Sequence, residues 1–322
     1  MTSLPIEHFQ SRSVLVTGGA GFIGSHLVEA LVAGGARVSV LDNLQAGTWS
    51  NLDNVAQSIR RVEGDVRDYA ALERAFGQEL PEIVFHLAAN ASVPGSVDEP
   101  RYDFETNCGG TFVLLDSLRH LAPTAKVVFT SSAAVYGEPE LFPIVETTPL
   151  LPISPYGASK VSAEVECRMF FNVYGVPVVI GRVFNSYGPR MPRFAIFDFL
   201  RKLHEDPEHL EILGNGKQVR DFNYVRDTVS GLLMLGLHGV PGEAYNIASG
   251  TSYSITELAT MLLHLLGLEE QTKITYSGTS WIGDAQRWEV DISKIRTIGY
   301  EPHIGLQRGL KLVIDWFEHR NS

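Results

Sequence analysis

The chain predicts an α/β fold, a doubly wound parallel sheet followed by a smaller α/β lobe, and three observations carry that expectation. Short apolar runs alternate with helix-period stretches through the first half. Glycines at 18, 21 and 24 follow the first of these runs and open the first helical stretch. After Arg182 the alternation gives way to loops rich in Pro, Gly and Arg, with shorter helices and brief strands.

Taken in order, the apolar runs predict strands at Val14–Val16, Arg37–Leu41, Ile59–Val62, Ile83–Leu87, Lys126–Ser131 and Val176–Arg182. Amphipathic periodicity predicts helices over about Phe22–Ala33, Ala70–Phe76, Tyr102–Leu121 and Pro155–Tyr174, the last with proline at a favoured first-turn position. Later helices are predicted over about Phe194–Glu205, Thr228–Leu237, Ile255–Leu266 and Leu306–Glu318. Ligands of doubly wound sheets bind outside the carboxyl ends of the strands, so residues there and in the late loops should line one cleft.

Composition narrows the classes of function. The 322 residues are 44% hydrophobic, enough for a sizeable core. A net charge of −11 without any basic run gives a phosphate backbone no electrostatic help, so no nucleic-acid partner is expected. The stretch Met1 to Ser13 lacks the pattern of a secretory leader, and Gly, Pro or charge breaks every long apolar run. We expect a cytoplasmic protein with no membrane partner. Cys108 and Cys167 are far apart and imply neither a disulfide nor a CxxC site. The ten histidines form no HxxxH or HExxH pattern, and His204 and His209 sit on a charged segment, so no metal is expected.

The glycine run Gly18-Gly19-Ala20-Gly21-Phe22-Ile23-Gly24 lies between a strand and a helix, where backbone amides can approach a pyrophosphate at the positive helix end. Asp42 closes the second strand, where a carboxylate accepts from ribose hydroxyls and repels a 2′-phosphate, so NAD is expected over NADP. Asp65, after the third strand, reads either as an adenine-side residue or as a solvated loop acid. Leu87-Ala88-Ala89 leaves room for a cofactor crossing the sheet, and His86 reads as structural.

Tyr156 and Lys160 stand one helical turn apart after a strand ending Thr130-Ser131-Ser132. The ammonium of Lys160 and a positive nicotinamide would both favour phenolate, making Tyr156 a general base for alcohol oxidation while Ser132 hydrogen-bonds the same oxygen. Lys160 would also hold the nicotinamide ribose.

With these motifs in place, the chain resembles the extended short-chain dehydrogenase/reductases of the nucleotide-sugar epimerase/dehydratase group, almost end to end. The matching pieces are Thr17 to Gly24, Asp42-Asn43-Leu44, Gly64-Asp65, His86 to Ala89, Asn107 with Gly110-Thr111, Ser131-Ser132 with Val135-Tyr136-Gly137, and Tyr156 to Lys160. The expected cofactor set is Gly18, Gly21, Phe22, Ile23, Gly24, Asp42, Asn43, Asp65, Val66, Leu87, Ala88, Ala89, Asn107, Tyr156 and Lys160. Residues 1–182 are expected to form an NAD-binding Rossmann unit that carries the catalytic residues. Residues 183–322 are expected to be mainly a nucleotide-sugar lobe, with chain crossovers. The resemblance implies Arg182, Asn185, Gly188 and Arg220 around the sugar diphosphate, with Arg193 and Arg287 as further substrate contacts. Where the family often has Arg two residues before Gly283-Asp284, this chain has Trp281, and Arg287 is expected to supply the charge.

The resemblance also orders the reactions. Family dehydratases carry an acidic pair after the serine, whereas this chain has Ala133 and Ala134, so C4 epimerisation through a 4-keto sugar is expected. Asn185 favours a neutral hexose or N-acetylhexosamine, and hence UDP-glucose/UDP-galactose interconversion. Arg190 and Arg193 keep a uronate 4-epimerase open. A 4,6-dehydratase or 4-keto-sugar reductase ranks lower, and a non-catalytic NAD-sensing scaffold last. Apolar positions on more than one face of the helices near Tyr102–Leu121 and Pro155–Tyr174 imply a homodimer.

Overall fold

The computed structural model describes residues 4–281 and 283–321; Met1 to Ser3 of the stretch read for a leader lie outside them. Six strands of the first half are β1 (Ser13–Thr17), β2 (Arg37–Asp42), β3 (Ile59–Glu63), β4 (Ile83–His86), β5 (Lys126–Ser132) and β6 (Val178–Val183). Around them run helices α1 (Phe22–Ala33), α2 (Tyr69–Phe76), α3 (Val93–Asp98), α4 (Pro100–Phe104), α5 (Gly110–Leu121) and α6 (Pro155–Tyr174). The second half adds strands β7 (Asn185–Tyr187), β8 (His209–Ile212), β9 (Val219–Tyr224), β10 (Ala244–Ile247), β11 (Ser252–Ser254) and β12 (Lys273–Tyr276). Its helices are α7 (Ala195–Glu205), α8 (Val225–His238), α9 (Ile255–Leu266), α10 (Ser293–Arg296) and α11 (Leu306–Asn321).

The main sheet is parallel throughout, in the order β10-β6-β5-β4-β1-β2-β3. Strand alternation divides its side chains between two cores. Val14 and Val16 enter one layer with Val38, Val40, Val128 and Val179, while Leu15 enters the other with Leu41, Val127, Phe129 and Ile180. A third cluster, with Leu210, Phe222, Leu258 and Leu310, lies under the remaining strands. Those strands form a three-stranded sheet, β11-β9-β7, and a parallel pair, β12-β8. Strand β10 returns to the main sheet beside β6, so the second half of the sequence contributes to the first layer as well.

Most predicted elements agree with the structure to within a residue or so; α8 starts at Val225 rather than Thr228, α11 runs on to Asn321 rather than ending at Glu318, and two further differences have a local cause. Strand β6 begins at Val178 rather than Val176, because Pro177 has no N–H to give to the ladder. The single helix expected over Tyr102–Leu121 is interrupted: α4 starts at Pro100, a π-helical turn spans Glu105–Gly109, and α5 resumes at Gly110. The adjacent glycines 109 and 110 lower the cost of that distortion. Among the described residues no helix is long and apolar enough to cross a membrane.

Candidate functional site

The sheet reverses its winding between β1 and β4, and the two loops leaving those strands meet there. Gly18 takes φ +70°, and a Cβ on it would stand 2.7 Å from the Ala88 amide nitrogen, so only glycine lets the two loops close on each other. A Cβ on Gly24 would lie 2.2 Å from the Gly18 carbonyl, which explains the third glycine by helix packing. Gly21 caps α1 with no side chain bonded to its first amides and no acidic residue in the first turn. The positive end of α1, including Phe22 and Ile23, therefore meets no carboxylate of its own first turn.

Asp42, at the end of β2, is buried and accepts from the amides of Ala20 at 2.9 Å and Leu44 at 2.8 Å. Burial raises its pKa, and those two amides oppose the rise. Asp65 is held by Arg67 through two bonds of 2.9 Å and by Asn43 at 3.0 Å, and the Arg67 contact leads in drawing its pKa down to about 2. Both Asp65 oxygens are thus engaged by neighbours, closer to the loop-acid reading than to a free adenine contact. Val66 packs against Gly110, and the backbone of Leu87 and Ala88 faces Gly18. His86 is bonded between Thr17 at 2.7 Å and Thr111 at 3.1 Å, and burial lowers its pKa to about 3. It is a neutral structural residue, as read from the sequence.

Tyr156 opens α6, its backbone amide donating to the Ser96 hydroxyl at 3.1 Å. The phenol is buried and hydrogen-bonded to Ser132, whose oxygen also accepts from the Ala134 amide at 3.2 Å. Burial raises the Tyr156 pKa above its ordinary value; the Ser132 bond and the charge of Arg193 pull it down, and Asp103 pushes it up. The Lys160 ammonium donates to the Thr130 carbonyl at 3.0 Å and lies 4.9 Å from the centre of the Phe129 ring, turned toward the sheet. Burial lowers Lys160 itself to about 8, with Asp103 opposing.

Asn107 sits in the π-helical turn. Its amide nitrogen donates to the Asn90 carbonyl at 3.1 Å, to Asp103 at 3.2 Å and to Ser159 at 2.9 Å, and its oxygen accepts from the Asn90 amide at 2.8 Å. These contacts tie the turn to α6 and to the loop after β4. Asp103, Asn90, Ser96 and Ser159 were not singled out from the sequence. The signal for two of them was present, since Asp103 precedes Asn107 by four residues and Ser159 lies between Tyr156 and Lys160.

The arginines separate sharply. Arg182 is fully buried and grips Glu164 through bonds of 2.9 and 2.8 Å, with Tyr136 and the Glu146 carbonyl completing its shell. It supports the fold behind α6 and is not free for a diphosphate, a correction to its expected place. Arg190 is likewise taken, by Glu29 at 2.6 Å and Ser25 at 3.1 Å. Arg287 is half exposed, bonded to Glu289 at 2.8 Å and lying over Phe142, so its charge is already paired rather than replacing the arginine absent at Trp281. Arg220 pairs with Asp284 at 2.5 Å, donates to the Ala285 and Val219 carbonyls and lies over Trp288. It fastens the segment after Gly283 to β9, and its partner is not the adjacent Asp221. Asn185 donates to the Asp221 carbonyl at 3.2 Å. Arg193 donates to the Ala91 carbonyl at 3.0 Å and acts on the Tyr156 phenol; no carboxylate among the described residues pairs with it.

A glycine-lined helix end, an acid closing β2 and the pair of Ser132 and the buried Tyr156 one turn from a lysine thus gather at one switch point. The family of GDP-mannose 4,6 dehydratase matches the chain over residues 15–313. The chain belongs to that family. It is a family of extended short-chain dehydrogenase/reductases, and both epimerases and dehydratases are among the similar proteins. A UDP-glucose 4-epimerase from Mycolicibacterium smegmatis is 34% identical over 315 residues, covering 96% of this chain and 99% of the relative. The structure of UDP-glucose 4-epimerase with UDP-glucose from Thermotoga maritima superposes with a TM-score of 0.90 at 35% identity, covering 96% of this chain and all of that one. The dTDP-glucose 4,6-dehydratase of Streptomyces venezuelae, solved with NAD bound, gives a TM-score of 0.88 at 34% identity over 96% of this chain and 98% of that one. The chain is an enzyme of the nucleotide-sugar epimerase/dehydratase group.

Proposed function

We propose that the protein is an NAD-dependent nucleotide-sugar 4-epimerase acting on UDP-glucose and UDP-galactose or on the N-acetylhexosamine pair. The observation that carries this reading is the turn after Ser132, where Ala133 and Ala134 are buried and bring no carboxyl group to the sugar. Elimination across C5 and C6 needs an acid and a base there; oxidation and re-reduction at C4 need neither.

The protein fits NAD. Gly18 and Gly21 with the amides of Phe22 and Ile23 would hold the pyrophosphate, Asp42 the ribose hydroxyls, and Lys160 the second ribose. Bound NAD supplies the oxidation of C4 and its reversal. Tyr156 takes the proton from the 4-hydroxyl and Ser132 hydrogen-bonds the same oxygen. After the 4-keto sugar turns about its diphosphate link, the two residues return the proton on the other face. Residues 183–322 mainly hold the nucleotide sugar, with Asn185 and Arg193 as its contacts and Arg220 fastening the lobe through Asp284, apart from β10 and α8, which pack with the main sheet. Arg193 supports a second reading, a uronate 4-epimerase, because its guanidinium lies near the reacting phenol without a carboxylate partner among the described residues.

Incubation with UDP-, dTDP-, GDP- and CDP-sugars, followed by NMR, tests the reading. Inverted C4 configuration without added cofactor supports it, and loss of the C6 hydroxyl or net cofactor consumption overturns it. Substituting Asp42 by asparagine should weaken NAD binding about tenfold or more and narrow the preference over NADP, since a charged acceptor is lost. Calorimetric titration with both cofactors reads this, and an unchanged preference removes the assignment. We also propose a homodimer through α5 and α6, whose Phe112, Val165 and Val173 are exposed. Sedimentation should show a dimer that Val165→Glu dissociates.

A further inference from the structure

Among the buried charges that the proposed mechanism does not use, Asp103 is the one held against the first turn of the catalytic helix. Asp103, on the short helix α4, has no exposed surface, and its oxygens accept from Asn90 at 3.1 Å, Asn107 at 3.2 Å and Ser159 at 2.6 Å. An isolated carboxylate is expensive to bury; burial raises the Asp103 pKa, and three donors together with the charge of Lys160 oppose the rise. Those donors come from three separate segments: the loop after β4, the π-helical turn and α6. Ser159 directly precedes Lys160, and its hydroxyl also reaches the Tyr156 carbonyl at 3.0 Å. The carboxylate is therefore fixed in place beside the first turn of the catalytic helix.

We propose that Asp103 is a positioning residue for the Tyr156–Lys160 pair: gripped by Asn90, Asn107 and Ser159, it pins the π-helical turn against α6 and serves as the fixed counter-charge of Lys160. The inference rests on the assignment of Tyr156 as base and Lys160 as its cationic partner. A negative charge at this point opposes the burial that would discharge Lys160, and it makes phenolate at Tyr156 harder to form. The other charged and titratable groups facing the pair are Arg193 toward Tyr156, and Glu164, Cys167 and the neutral His86 toward Lys160. None of these bridges the π-helical turn to α6 as Asp103 does.

The active form needs Tyr156 as phenolate and Lys160 as ammonium, so the two limbs of the pH profile belong to this pair of groups. Neutralising Asp103 lowers both values, so the whole bell should move toward acid. The experiment is the pH profile of kcat for the holoenzyme and for Asp103→Asn and Asp103→Ser. A direct ultraviolet titration of the Tyr156 phenol is taken as the difference between each protein and its Tyr156→Phe counterpart. Both limbs are expected to shift by about one pH unit, with phenolate appearing at lower pH in the neutral variants. Folded variants with unmoved limbs and an unmoved phenol titration overturn the proposal. The titration needs no turnover, so an enzyme that fails to epimerise any sugar would sink the functional reading while leaving this test intact. If neither neutral variant folds, Ser159→Ala decides. It keeps the charge but loses one donor, and a lowered kcat at unchanged KM and unshifted limbs supports the proposal, whereas wild-type kcat overturns it.

Discussion

Tyr156→Phe is expected to lower kcat by about 10²–10⁴ while leaving NAD bound and the protein folded. The ring is buried and phenylalanine preserves that packing, so the loss is confined to the hydroxyl. Within the protein that hydroxyl bonds to Ser132, which keeps a second contact to the Ala134 amide and is not stranded. Because burial raises the tyrosine pKa and Lys160 faces the Thr130 carbonyl, the protein's own groups leave the phenol protonated at neutral pH. In the proposed scheme the positive charge of the oxidised nicotinamide would add to the pull of Ser132 and Arg193 and favour phenolate when catalysis needs it. This couples proton removal to the presence of the oxidised cofactor and guards against base chemistry at the wrong moment. Steady-state rates by NMR, with NAD content read on the same sample, check the prediction. Retention of more than about a tenth of wild-type kcat would remove Tyr156 from the role of base.

Much of this arrangement was legible in the sequence, for identifiable reasons. A parallel sheet buried on both faces writes its strands as apolar runs, and Val14-Leu15-Val16 is one of them, its alternate residues entering opposite cores. Gly18 and Gly24 answer to steric limits that no other residue meets, so their spacing carries the loop geometry. The fates of the arginines were not legible. A guanidinium in the sequence does not announce its partner, and Arg182 finds Glu164 on α6, Arg190 finds Glu29 on α1 and Arg220 finds Asp284 in a late loop. Each pairing depends on tertiary contacts that local pattern does not contain. Asp103 was missed for the same reason. Its neighbours in sequence, Tyr102 and Phe104, suggest an ordinary helix face, and the π-helical turn that brings Asn107 onto the same carboxylate has no marker beyond the glycines at 109 and 110.

Arg182→Met is expected to destabilise the protein by about 3–5 kcal/mol at neutral pH, because it leaves the buried Glu164 without its main counter-charge. The pair is among the best satisfied in the molecule. Glu164 also accepts from Ser131 at 2.7 Å and Arg168 at 3.1 Å, while Arg182 reaches Tyr136 at 2.8 Å, which in turn donates to Asn246 at 2.6 Å. The network joins α6 to β5, β6 and β10, so it holds the catalytic helix on the sheet. Burial alone would raise the Glu164 pKa, but the hydrogen bonds and charge of Arg182 outweigh it and hold the carboxyl below its ordinary value. In the wild type this carboxylate therefore contributes stability present above the unfolded-state pKa and lost as pH falls through the lower folded value. In Arg182→Met the sign reverses: burial prevails, the folded pKa rises, and the penalty is greatest at neutral pH and fades once the carboxyl is protonated. The gap between the two proteins should thus narrow below about pH 5. Arg168 tempers the effect only in part, being more exposed than Arg182. The double variant Arg182→Met with Glu164→Leu should recover most of the loss, since a buried pair replaced by apolar groups of similar size is often neutral. Urea unfolding of the wild type, the single variant and the double variant at pH 7 and at about pH 4 measures every part of this. A single variant as stable as the wild type, or a double variant no better than the single, would show that the pair does not anchor α6.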